Sequence, residues 1–268
     1  MITERHLVRG IGAILALGAA FVGTAAAAQD GDAPRRTRVA LGPQIVPSYP
    51  GADTLGIRPL IDVSRARGDE AFAFEAADES AGFGLWRQNG VSIGPAIGFE
   101  GSRTARNVGA PVKKVGFTVE AGAFVQYQPV ESFRVRAEVR KGLGGHGGLI
   151  ATLGADYIAR DRDAWLVSLG PRITLADGRY NRSYFGVDAA DAAATGLARF
   201  DASGGIQAVG ATAGLIRQLT PRWGIYGFAK YDRLVADAAR SPLVRAFGSR
   251  NQLSGGAALT YTFGGAKD

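Results

Sequence analysis

At 268 residues, with 46% hydrophobic content, 39 glycines and a formal charge of +7, the chain is long enough for one large domain or two small ones. It has no cysteine, which excludes a disulfide framework, thiolate catalysis and cysteine-bound metal. The basic residues are spread singly rather than clustered, which argues against nucleic acid and leaves anionic lipid or lipopolysaccharide as the natural counterpart.

The N-terminal stretch reads as a cleavable secretory signal. Arg5 and Arg9 form a positive start, and residues 11–22 are apolar and uncharged. Thr24 to Ala28 then offer small residues before polar Gln29-Asp30-Gly31-Asp32, so cleavage is expected after Ala28. The apolar run is short of the ~20 residues of a spanning helix, and nothing after Ala28 comes near ~18. Loss of Glu4, Arg5 and Arg9 leaves a charge of roughly +6.

From there the pattern is alternation with period two in stretches of ~10 residues, the signature of barrel strands. Val39, Leu41 and Ile45 alternate with Arg38, Ala40 and Gln44; Ile57, Ile61 and Val63 alternate with Arg58, Asp62 and Ser64. Weaker strands are expected at 70–76 and 81–87. In 91–100, Val91, Ile93, Ile97 and Phe99 share one face, and in 115–127 so do Val115, Phe117, Val119, Val125 and Tyr127. Phe133, Val135, Ala137 and Val139 oppose Arg134, Arg136, Glu138 and Arg140. Further strands fall near 148–158, 164–175, 204–218, 223–234 and 250–263, giving about twelve, or ten without the two weak ones.

Connections alternate in length. Turns near 66–69, 87–90, 128–131, 159–163 and 219–222 are short. Those at 47–56, 102–114, 176–203 and 235–249 are long, and 77–80 and 142–147 break the pattern. Short periplasmic turns, longer outer loops and an even strand count define outer-membrane barrels. The alanine-rich stretch 188–195 can form a short helix at the mouth. Leu253 to Phe263 alternate to an aromatic finish, as a closing strand does, with 264–268 as a frayed tail. The expected fold is therefore all-β: a closed antiparallel transmembrane β-barrel over 29–268, in the outer membrane of a Gram-negative bacterium.

Candidate chemistry is sparse. Beyond the signal the one histidine is His146, in Gly144-Gly145-His146-Gly147-Gly148. Its four glycines suit a tight turn, and no second histidine or neighbouring serine completes a metal site or a triad. Gly98 to Arg103 contains glycines but no nucleotide fingerprint. The remaining candidates line the lumen: Arg134, Arg136, Glu138, Arg140, Asp156 and Arg172. They could set solute selectivity, or pair across strands and fill the interior.

Several peptides, in order, resemble the MipA/OmpV family, the MltA-interacting proteins of the outer membrane. They include Val46-Pro47-Ser48-Tyr49-Pro50-Gly51-Ala52-Asp53, Arg58-Pro59-Leu60-Ile61-Asp62, Gly145-His146-Gly147-Gly148-Leu149 and Leu169-Gly170-Pro171-Arg172. Tyr184-Phe185-Gly186-Val187, Tyr231 to Asp237, Ser241-Pro242-Leu243-Val244 and Gly248 to Gln252 continue the series. The resemblance implies a barrel without catalysis or cofactor that holds a lytic transglycosylase near a peptidoglycan synthase. The rival readings are a narrow channel for small polar solutes and a barrel hydrolase using His146.

Overall fold

In the computed structural model residues 33–264 are described, so the expected signal segment and its cleavage point lie outside the described residues. Ten long antiparallel strands form one curled sheet: β1 (Arg35–Pro47), β2 (Leu55–Arg67), β5 (Val91–Glu100), β6 (Thr118–Val130), β7 (Phe133–Gly144), β8 (Leu149–Asp161), β9 (Trp165–Ala176), β10 (Gly205–Gln218), β11 (Trp223–Leu234) and β12 (Asn251–Phe263). Two short strands, β3 (Ala81–Gly82) and β4 (Trp86–Gln88), pair with the free side of β5 and bring the sheet to twelve.

The ladder runs β2-β1-β12-β11-β10-β9-β8-β7-β6-β5-β3, so the first and last long strands pair directly, Val39 opposite Tyr261. The ladder ends at β2 on one side and at β5 with its short partners β3 and β4 on the other. At the remaining seam, Arg58 on β2 reaches Glu100 on β5 at 3.5 Å.

Alternation decides which face points out. On β2, Leu55, Ile57, Ile61 and Val63 are exposed, while Leu60, Ser64 and Ala66 between them are buried. Ile57 is 80% exposed and Leu259 on β12 is 61%, a degree of apolar exposure that repeats around the sheet and that water would penalise. A 13-residue strand tilted by about 45° spans roughly 30 Å, the hydrocarbon thickness. Trp223, Tyr261 and Phe263 stack edge to face at 4.8 and 4.6 Å near one end, and Phe99 lies 6.3 Å from Phe117 near the other, matching interfacial girdles.

The two ends differ. One carries the short turns 131–132, 162–164 and 219–222 together with the start of β1 and the end of β12. The other carries α1 (Ala105–Val108), α2 (Gly178–Phe185), α3 (Ala189–Thr195), α4 (Ala236–Arg240) and α5 (Pro242–Phe247). The alanine-rich helix forms where its sequence asks for it. Asp188 caps it by accepting from Asp191 N, and Gly196 ends it in the left-handed conformation at φ 73. Tyr180, Tyr184 and Phe185 of α2 pack with Ile150, Ala208, Leu234 and Val244, so the helices close over the mouth.

The segment expected as a strand at 70–76 is not one. Residues 69–80 leave the wall and run through the interior, with Phe72, Phe74 and Ala76 buried. The stretch 81–87 is broken into β3 and β4, and 77–80, expected as an outer loop, belongs to the inserted segment. The physical reason is composition. The run from Phe72 to Glu79 combines phenylalanines and alanines with acidic groups, and Asp78 and Glu79 find basic partners inside the sheet rather than water or lipid.

Candidate functional site: an ion-pair chain across the lumen

Strand register sets the lumenal charges side by side. Arg134 lies opposite Asp156 across β7 and β8, and Arg172 lies opposite Gly154 on the next pair, one step along. Asp156 therefore takes Arg134 Nη2 on one carboxylate oxygen and Arg172 Nη2 on the other, each at 2.7 Å.

The inserted segment completes the chain from within. Arg172 Nε donates to Asp78 at 3.0 Å, and Lys230 on β11 lies 3.3 Å from the same carboxylate and 3.1 Å from Asp232. Arg134 pairs with Glu79, whose second neighbour is Arg136 at 3.7 Å. Arg136 donates to Glu138 at 2.7 Å, Glu138 pairs with Arg140, and Arg140 donates to Glu120 at 2.8 Å. Glu120 ends the chain on His146 Nε2 at 3.0 Å. Against the desolvation that would raise it, Lys230 and Arg172 pull the Asp78 carboxyl down to about 2.

Phenylalanines secure the same segment by cation–π contact. Arg38 lies over the Phe72 ring at 4.5 Å and Arg134 over the Phe74 ring at 4.4 Å. Its backbone is held as well: Asp163 accepts from Phe72 N at 2.9 Å, Arg160 donates to Phe72 O at 3.0 Å, and Arg134 donates to Phe74 O. The interior is thus filled by a peptide tied to β1, β7, β8, β9 and β11.

All six residues singled out from the sequence sit in this chain. Asp78, Glu79, Glu120, Lys230 and Asp232 were missed. Glu120 and Lys230 carry the alternation signal on their strands, whereas nothing in the local pattern placed Asp78 and Glu79 inside.

His146 stands in the expected turn, but it is not an exposed loop tip: its side chain is fully buried. Nδ1 accepts from Gly148 N at 3.1 Å, so the Nε2 proton points at Glu120. Tyr180 packs edge-on to the ring at 4.7 Å. Gly142 makes room for it, since a Cβ there would come within 2.3 Å of the ring. Both ring nitrogens are thereby engaged within the turn, so the imidazole reads as a turn lock. Among the described residues no group of three or more His, Asp or Glu is placed to hold a metal ion.

The family model described as MltA-interacting protein MipA matches residues 39–263, nearly the whole described chain. The chain belongs to this family. No curated protein matches the MipA-family chain significantly. Among solved structures it is similar to the N-terminal β-barrel domain of OprF from Pseudomonas aeruginosa, at 15% identity over 66% of this chain and 98% of that one, with a TM-score of 0.26. OprG from the same organism matches at 8% identity over 87% and 98%, with a TM-score of 0.24. Neisserial surface protein A matches at 9% identity over 87% and 98%, with a TM-score of 0.25. At these scores the barrel reading rests on the chain's own sheet and family.

Proposed function

We propose that this MipA-family chain is a plugged, non-catalytic barrel of the outer membrane that serves as a scaffold for peptidoglycan machinery. In this reading it is exported by its N-terminal signal, cleaved near Ala28, with residues 29–268 forming the barrel and touching outer-membrane lipid and lipopolysaccharide. The observation that carries it is the inserted segment 69–80, tied to the wall through Asp78 and Glu79. Arg134, Arg136, Glu138, Arg140, Asp156 and Arg172 then act as a latch for that segment and not as a selectivity filter. The scaffold partner, MltA, is taken from the family description; that it is a lytic transglycosylase held near a peptidoglycan synthase is what the sequence resemblance implies.

Two measurements test the reading together. The purified barrel should be electrically silent in a planar bilayer, and on a column it should retain a purified lytic transglycosylase. A steady open conductance would favour the channel reading. Failure to retain the transglycosylase while silent would remove the scaffold and leave a structural barrel.

A further inference from the structure

The helix-bearing end, opposite the short turns, holds an open cleft of about 700 Å³ between residues 113–115, the 145–146 turn, α2 and the 199–201 stretch. Six basic side chains line it: Arg103, Lys113, Lys114, Arg179, Arg182 and Arg199. Three carboxylates share the lining, but two are already engaged by backbone. Asp188 caps α3, and Asp191 accepts from Lys113 N at 2.8 Å. Asp201 is exposed, 3.8 Å from Arg182. Among the described residues, Lys113, Lys114, Arg179 and Arg199 have no carboxylate within 4 Å, so the cleft keeps a surplus of positive charge.

The cleft is also built, not merely decorated. Arg103 is buried and, among the described residues, pairs with no carboxylate; its guanidinium donates to Tyr184 O at 2.9 Å and to Lys113 O at 2.8 Å. Lys113 is thus gripped at its N–H by Asp191 and at its carbonyl by Arg103, which fixes the Lys113-Lys114 pair at the rim. A buried cation spent on holding a loop costs desolvation, and here it holds two further cations at the cleft edge. Phe200 and Val187 supply an apolar floor, and Ser183 and Asp201 offer acceptors.

We propose that this cleft binds a phosphorylated saccharide. Phosphate suits a fan of unpaired Lys and Arg donors through charge-assisted hydrogen bonds. A sugar ring suits the aromatic floor and the nearby hydroxyl and carboxylate acceptors, and the volume admits a disaccharide. The source is either an outer-leaflet glycolipid headgroup or a soluble sugar phosphate. The site does not depend on the scaffold role.

The test is calorimetric titration of the full mature barrel in detergent with deacylated glucosamine disaccharide 1,4′-bisphosphate, and with the same disaccharide lacking phosphate. One saturable site for the bisphosphate is expected, with none for the neutral sugar. Affinity should fall at least about tenfold in the Lys113→Gln/Lys114→Gln/Arg179→Gln variant. It should also weaken when salt rises from about 0.1 M to about 1 M, which shortens the screening length from ~10 to ~3 Å. All three substitutions are on exposed side chains, and an unchanged heat-dependent gel mobility checks that the variant barrel is intact. Absence of saturable binding, equal binding of the neutral sugar, or an unaffected triple variant would overturn the proposal. If glycolipid embedded in vesicles competes with the soluble probe, the headgroup is the source; if it does not, a free sugar phosphate is.

Discussion

Single residues here matter through what they leave behind. Arg134 is fully buried and serves Asp156 and Glu79 at once, so Arg134→Met would remove the cation they share and leave Asp156 with Arg172 and Glu79 with the more distant Arg136. The expected cost is about 3–5 kcal/mol, because removing one partner of a buried ion pair is far worse than never having had the pair. Urea unfolding of the detergent-solubilised barrel measures it, and a loss below 1 kcal/mol would mean that the pair is effectively solvated. Gly142→Ala tests the other close contact. Its added methyl must displace an imidazole already fixed by Glu120, Gly148 and Tyr180, an overpacking expected to cost about 1–3 kcal/mol. Amide exchange at 145–148 should quicken while exchange in the β1–β2 ladder stays unchanged. His146→Ala should leave transglycosylase retention intact, as befits a turn lock.

The inserted segment is the element whose behaviour should depend on pH. Burial, then Asp62 and Glu79, push the Glu75 carboxyl up to about 7, with Arg136 and Arg134 opposing. Its side chain is nevertheless exposed, which screens part of the effect. A raised carboxyl pKa means that the folded state holds the proton more tightly. The stabilisation is therefore complete below about 4.5 and is lost as pH rises through about 7. Protease sensitivity of the inserted segment should grow over that window, and Glu75→Gln should flatten the rise. An equal rise in the variant would assign the pH dependence to another group. This element also marks where sequence reasoning ran out. Strands such as β7 were legible because apolar and charged residues alternate without a break from Phe133 to Arg140, and residues 188–195 because cap, alanines and closing glycine stand in order. Phe72 to Ala76 also alternates buried with exposed positions, yet its phenylalanines pack inside instead of facing lipid. Periodicity reports an extended segment with two faces; only long-range partners, Arg134 and Arg172 at 55 and 94 positions away, decide whether it joins the wall or fills it.

At the scale of the molecule, an apolar outer band, aromatic ends and a charged, occupied interior are three consequences of one arrangement. The band was readable from the sequence, as were the family and a lumen filled by paired charges, but the inserted peptide was not, because Asp78 and Glu79 gain their meaning only when the sheet curls round them. Freeing the segment should therefore change transport without changing assembly. Asp78→Asn/Glu79→Gln is expected to keep the folded gel mobility yet show intermittent conductance where the parent is silent.

The most direct measurement exploits the absence of cysteine. Single cysteines carrying spin labels can be placed at Ile57, Ile61 and Leu259, and at inward Asp62 and Thr260, in barrels reconstituted into lipid vesicles. The outward three should be accessible to oxygen and shielded from a water-soluble nickel complex, with the inward two showing no such oxygen preference. Equal access of the nickel complex to both sets would show that the exposed apolar face meets water, and the membrane barrel would be contradicted.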